Sequence, residues 1–151
     1  PNGAERAGFA DLGQFISATA RRNPHAVALD DGTAALTYGE LMARVDRCAS
    51  GLRRHGVRPG DRIAVLAENR LEYVELVLAA ARVGAVLAAL NWRFSPSELA
   101  HCVRLVAPAL LFVSARHAAG LAELAPDEVP LVHLGHARRR ARRSFAARHS
   151  A

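Results

Sequence analysis

Between Arg58 and Leu134 short apolar runs alternate with helical patterns, and this alternation constrains the fold more than any other feature of the sequence. Arg62 to Leu66, Ala85 to Leu90, Ala109 to Val113 and Leu131 to Leu134 have strand length and no polar alternation. Strands of that kind are buried on both faces, as in a parallel sheet covered by helices. The segments between them read as helices: Leu71 to Arg82, a stretch opened by Ser95-Pro96-Ser97-Glu98 and closed by Pro108, and Ala115 to Leu124. Ser95 and Glu98 have the spacing of a capping box, with Pro96 at the first helical position. Such alternation predicts strand–helix–strand units with right-handed crossovers. The expected architecture is α/β, an open, mostly parallel sheet with flanking helices.

A helix and a hairpin precede this unit. Asp11 to Arg22 reads as an amphipathic helix with Leu12, Phe15, Ile16 and Thr19 on one side. It stops at Asn23-Pro24, because a residue before proline is pushed out of helical backbone. Val27 to Asp30 and Ala35 to Thr37 read as two strands around an Asp31-Gly32 turn. Thr37-Tyr38-Gly39-Glu40 then has capping-box spacing, opening a helix to about His55 with Leu41, Val45, Cys48 and Leu52 on one stripe. Gly56 ends it, and Arg58-Pro59-Gly60-Asp61 forms a turn.

With 151 residues the chain is long enough for one ordinary domain. A 51% apolar share excludes disorder throughout. The longest apolar stretch, Val74 to Leu90, is broken by Glu75, Arg82 and Gly84, so no membrane span is expected. The chain opens Pro-Asn-Gly without a signal-peptide pattern, which suggests a processed or partial, cytoplasmic chain.

All 20 basic residues are Arg; Lys is absent. Residues 1–137 hold 14 Arg and all 14 acidic residues, whereas the other 6 Arg fall within residues 138–151. The division expected is a neutral domain over residues 1–137 and a solvated, disordered Arg-rich tail over residues 138–151. Without Lys, Schiff-base chemistry, a Lys general base and a Lys-bearing phosphate loop are excluded for these residues. No Gly-x-Gly-x-x-Gly follows a strand, and no Gly-x-Ser-x-Gly elbow occurs.

The remaining chemistry-bearing residues form no catalytic constellation. Cys48 and Cys102 lack metal-ligand spacing and read as buried thiols. His133 and His136 are three apart without a third ligand near them, and His25, His55, His101 and His117 are scattered, so no metal or catalytic site is expected. Glu72 and Glu75 share a helix and read as a solvated edge rather than a catalytic carboxylate pair.

Two segments are unusual as combinations: Leu36-Thr37-Tyr38-Gly39-Glu40-Leu41, and Ala81 to Leu99 with Leu90-Asn91-Trp92-Arg93, Ser95 and Glu98-Leu99 at its exit. The turn Gly56 to Arg62 lies between them. Together they resemble the first two core motifs of the adenylate-forming enzymes, and the second is similar to the acyl-CoA synthetase branch. Order and spacing agree from about Leu12 to Leu134.

The resemblance implies the N-terminal layer of an enzyme that activates a carboxylic acid with ATP and Mg²⁺ and passes the acyl group to coenzyme A. The family's Ser/Thr/Gly-rich phosphate loop and C-terminal catalytic Lys have no counterpart here. The chain is therefore expected to be inactive alone, to bind these cofactors poorly alone, and to need the remainder of the enzyme as partner. Arg93 matches an arginine that approaches a phosphate of coenzyme A in some family members, a task suited to a guanidinium fork. Its residue type fits equally a structural ion pair or a helix-edge charge. An alternative function is a small non-catalytic binding or regulatory protein, using the Arg-rich tail on an anionic partner or the family's interfaces on a full-length one. The tail has one aromatic residue, Phe145, and follows no nucleic-acid fold, so specific nucleic-acid binding is not expected.

Overall fold

The computed structural model describes residues 12–120 and 129–135. Helix α1 (Leu12–Arg22) leads into an antiparallel hairpin of β1 (Val27–Asp30) and β2 (Ala35–Thr37). Its turn is held by two aspartates: Asp30 Oδ1 accepts from the Gly32 N–H at 2.8 Å, and Asp31 Oδ1 from the Thr33 and Ala34 N–H groups at 3.0 Å each. Helix α2 (Tyr38–Arg54) follows without a linker. Thr37 and Glu40 satisfy each other's backbone N–H, closing the capping box that their spacing implies. Gly39 has a separate reason to be glycine. Its N–H donates to Pro24 O at 2.9 Å, and a Cβ there would sit 3.2 Å from that oxygen.

Four parallel strands make the main sheet: β3 (Arg62–Leu66), β4 (Val86–Ala89), β5 (Leu110–Ser114) and β6 (Leu131–Leu134). Their spatial order is β4-β3-β5-β6. Helix α3 (Leu71–Val83) connects β3 to β4, and helix α4 (Pro96–Val106) connects β4 to β5. Gly84 ends α3 at φ 80°, a left-handed conformation that glycine adopts without a Cβ penalty, and its carbonyl receives the Gly60 N–H at 2.8 Å.

The period of two along β3 and β5 divides their side chains between two cores. Ile63, Val65, Leu110 and Phe112 pack with Leu41, Val45 and Leu52 of α2 and with Leu76 and Ala79 of α3. Ala64, Leu66, Leu111 and Val113 pack with Leu99 and Val103 of α4. Each central strand is therefore buried on both faces, the condition that its unbroken apolar sequence demands.

Two expectations are corrected. Strand β4 is not buried on both faces: it is outermost among the described strands, and Val86 is 54% exposed. An apolar run marks a strand, but its place in the sheet decides its burial. The stretch beginning at Ala115 is a 3-10 helix over Ala115–Gly120, not an α-helix. It starts directly from β5 with no linker, a place where the tighter i→i+3 turn is common as a connector. The expected continuation over residues 121–124 lies outside the described residues, as do Asp11, His136 and the Arg-rich tail. No described helix is long and apolar enough to cross a membrane.

Candidate functional site

The strand order fixes where a site can form. From β3 the chain moves outward to β4, then crosses back over β3 to β5 and on to β6. The connections leaving the carboxyl ends of the two central strands thus diverge, and open α/β sheets bind ligands at such a switch point. The residues just beyond β3, β4 and β5 converge on this edge.

Glu68 and Ser114 close the crevice itself. Ser114 is fully buried, and its hydroxyl donates to Glu68 Oε2 at 2.6 Å. Arg70 holds the other carboxylate oxygen at 3.3 Å and makes a two-point contact with Glu72 at 3.1 and 3.4 Å. His117 Nε2 lies 3.7 Å from Glu68 Oε2. Partial burial pushes the Glu68 carboxyl upward. The Ser114 hydroxyl, a backbone hydrogen bond and Arg70 outweigh that push and hold its pKa below the ordinary value. Although Ser, His and a carboxylate meet here, the arrangement is not a nucleophilic one. Ser114 gives its proton to the carboxylate rather than to the imidazole, and its burial denies a substrate access.

The rim of the crevice is cationic and aromatic. Asn91 Oδ1 accepts from the Arg93 N–H at 3.1 Å and shapes the turn after β4. That turn displays Trp92, whose ring stacks on His117 at 6.1 Å between centroids and 27° between planes. Arg93 Cζ lies 4.4 Å and Arg116 Cζ 5.7 Å from the Trp92 ring centroid, both within cation–π range. The structure thus places Arg93 on an exposed turn against an aromatic plate, with no carboxylate partner among the described residues. An exposed guanidinium against an aromatic plate is chemistry suited to an anion.

The other sequence candidates lie elsewhere. Glu72 and Glu75 are not a solvated edge but are buried, Glu72 against Arg70 and Glu75 Oε1 against Arg44 Nε at 2.7 Å. Their helix packs against α2 and the sheet, so carboxylates on its apolar side persist by pairing. Cys48 and Cys102 are free and half-buried. Burial, with Glu75 adding its charge, pushes the Cys48 thiol up to about 12, which keeps it protonated and unreactive. His25, His55, His101 and His133 are exposed and dispersed. Among the described residues no three His, Cys, Asp or Glu side chains gather as a metal site. A second concavity of about 260 Å³ between α1 and α2 is lined by Ser17, Gly39, Met42 and Asp46. Arg21 and Arg82 also line it, and Arg82 is bound to Asp46 and donates to Ser17 Oγ at 3.1 Å.

Sequence reasoning missed Trp92, Arg116, His117, Glu68 and Ser114 as one cluster. The signal was available: all lie at or just beyond the carboxyl ends of parallel strands, which share one edge of the sheet.

A sequence model described as AMP-binding enzyme matches residues 16–148. A feruloyl-CoA synthase from Amycolatopsis is 42% identical over 124 residues, which are 82% of this chain and 25% of that protein. A 3-hydroxybenzoate–CoA ligase from Aromatoleum is 39% identical over 100 residues, 66% of this chain and 19% of the relative. Among solved structures, a fatty acyl CoA synthetase from Mycobacterium tuberculosis superimposes with a TM-score of 0.75 at 25% identity, covering 81% of this chain and 26% of that one. The chain spans 25% and 19% of the length of these two curated relatives.

Proposed function

Since the chain belongs to the AMP-binding enzyme family, within its acyl-CoA synthetases, we propose that it forms the N-terminal scaffold of an ATP-dependent acid–thiol ligase. In that reaction a carboxylate oxygen attacks the α-phosphorus of ATP and pyrophosphate leaves. The thiol sulfur of coenzyme A then attacks the acyl carbon of the mixed anhydride, and AMP leaves. Mg²⁺ would accompany the ATP.

The observation that carries the reading is the match to synthetase relatives over most of this chain, joined to the open guanidinium of Arg93 at the sheet's carboxyl edge. Donors of that type fit a phosphate of coenzyme A. The residues here do not fit ATP activation: the sequence has no Lys and no phosphate loop. The 151-residue chain is therefore inactive alone and depends on the remainder of the enzyme to turn over a carboxylic acid.

The test is pyrophosphate release with ATP, Mg²⁺, coenzyme A and a panel of aromatic and aliphatic acids. The isolated chain releases none, and the native polypeptide isolated from its source releases it and forms a thioester with at least one acid. Release by the isolated chain overturns the inactive-scaffold part. A native polypeptide that activates no acid and makes no thioester overturns the ligase reading.

A further inference from the structure

At the crevice beyond β3 and β5, His117 keeps a buried polar atom unsatisfied. Its Nε2 has no hydrogen-bond partner among the described residues and lies 3.7 Å from Glu68 Oε2. We propose that His117 is a proton-operated latch: once protonated, its Nε2 closes onto Glu68 and draws the 3-10 helix and the Trp92 plate toward the crevice. The inference is independent of the ligase reading and of the role given to Arg93.

Glu68 is prepared to receive the imidazolium. Arg70 gives it one arm, Nη1 to Oε1 at 3.3 Å, and turns its other two donors to Glu72. Oε2 accepts from Ser114 at 2.6 Å, and a carboxylate oxygen has room for a second donor. Despite partial burial, the Ser114 hydroxyl, a backbone hydrogen bond and Arg70 hold the carboxyl below 4.5, so it is charged wherever a histidine titrates. A separation of 3.7 Å is too wide for a hydrogen bond. A charge-assisted one draws N and O to about 2.8 Å, so the latch closes by about 1 Å.

The other groups around His117 are less well placed. Arg116 on the same 3-10 helix and Arg93 after β4 oppose a proton on the imidazole, but both are exposed at the Trp92 ring, where water weakens their effect. Strand β6 adds His133, which follows Leu131 onto the sheet face where Ala118 packs, and it is exposed. Helix α4 adds Cys102, half-buried in that same core, and its Glu98, His101 and Arg104 are exposed. Trp92 carries the movement outward. Its ring stacks on the imidazole with 6.1 Å between centroids, and Arg93 lies against that ring. A 3-10 helix has poorer hydrogen-bond geometry than an α-helix, so the segment bearing His117 yields easily.

Trp92 is the one tryptophan in the sequence, so its emission and its indole N–H resonance report this site. The 151-residue chain is titrated from about pH 8 to about pH 5, the range in which imidazoles gain a proton. The Trp92 signals should change reversibly and in step with the His117 ring resonances. At the acid end the Nε2 proton should be visible because it is bonded and slow to exchange. His117→Gln should abolish the Trp92 change. Glu68→Gln, which keeps an acceptor for Ser114 and removes the charge, should lose most of it and speed exchange of the Nε2 proton about tenfold. His101→Gln and His133→Gln should leave it intact.

A Trp92 change that survives His117→Gln would overturn the latch, as would a His117 titration that leaves Trp92 unmoved. A change as large in Glu68→Gln as in the parent would reduce it to plain stacking of an imidazolium on an indole and end the inference. Should neither variant fold, the parent decides: an Nε2 proton on His117 that exchanges as fast as that of the exposed His133 overturns it.

Discussion

Between α2 and α3, Arg44 meets Glu75 at 2.7 Å, and the carboxylate side chain is only 11% exposed. At the carboxyl edge of the sheet, Arg93 and Arg116 meet an indole face and no described carboxylate. The same side chain thus does opposite work in a chain that carries no lysine. In the first region a partner quenches the charge, and the helices depend on the pair. In the second the charge stays available, and the fold depends on it little. What separates them is the neighbouring residue, not the arginine: a carboxylate consumes a guanidinium, and an aromatic ring holds it in place while leaving its N–H groups free.

The contrast is sharpest in stability. Glu75→Gln leaves Arg44 facing a lost partner inside a helix interface and should cost about 3 kcal/mol by urea denaturation. Arg93→Gln should stay within about 0.5 kcal/mol of the parent. Equal losses would break the distinction. A smaller effect is expected at the crevice between the two regions. Ser114→Ala removes the hydroxyl donor to Glu68 and should cost about 1 kcal/mol. It should also let the Glu68 carboxyl titrate at higher pH, visible in a side-chain NMR titration.

Next comes acid. Glu68, Glu40 and Glu98 are all held below their ordinary value of 4.5, Glu68 despite burial by Ser114 and Arg70, Glu40 and Glu98 by hydrogen bonds from the capping residues Thr37 and Ser95. Each favours its charged form when folded. Its contribution is complete above 4.5 and is lost as pH falls below 4.5 through the lowered folded value. The melting temperature should fall in that window, and Glu98→Gln should flatten the decline slightly. Salt gives the smallest expected change. Raising sodium chloride to about 1 M should leave the melting temperature of the parent nearly unchanged, because a partly buried pair is poorly screened. The same salt should weaken binding of adenosine 3′,5′-bisphosphate at the exposed Arg93; unchanged binding would count against the proposed phosphate contact.

Much of the fold was legible along the chain. The capping boxes at Thr37 and Ser95 locate two helix starts, because they are local chemistry. Leu131 to Leu134 is a strand in sequence and in space alike. Burial was less legible where it depends on neighbours: Ala85 to Leu90 is as apolar as the central strands, yet among the described strands β4 has a partner on one side only. Glu72 and Glu75 misled for the same reason, since Arg44 and Arg70 come from elsewhere in the chain and inside the turn before α3. Arg93 was picked out by a motif; Arg116 and His117 were not, because only the order β4-β3-β5 brings the ends of β4 and β5 to a shared rim.

That outermost strand has a further consequence. From Val86 to Ala89 it carries no charge, no proline and no bulge against β3, and the described residues leave its far row of amides and carbonyls without a neighbour. Such a rim is a template for zippering, one molecule's strand laid against another's. An arginine or lysine written in at Val86, whose side chain already faces water, would cap that growth without touching either hydrophobic layer.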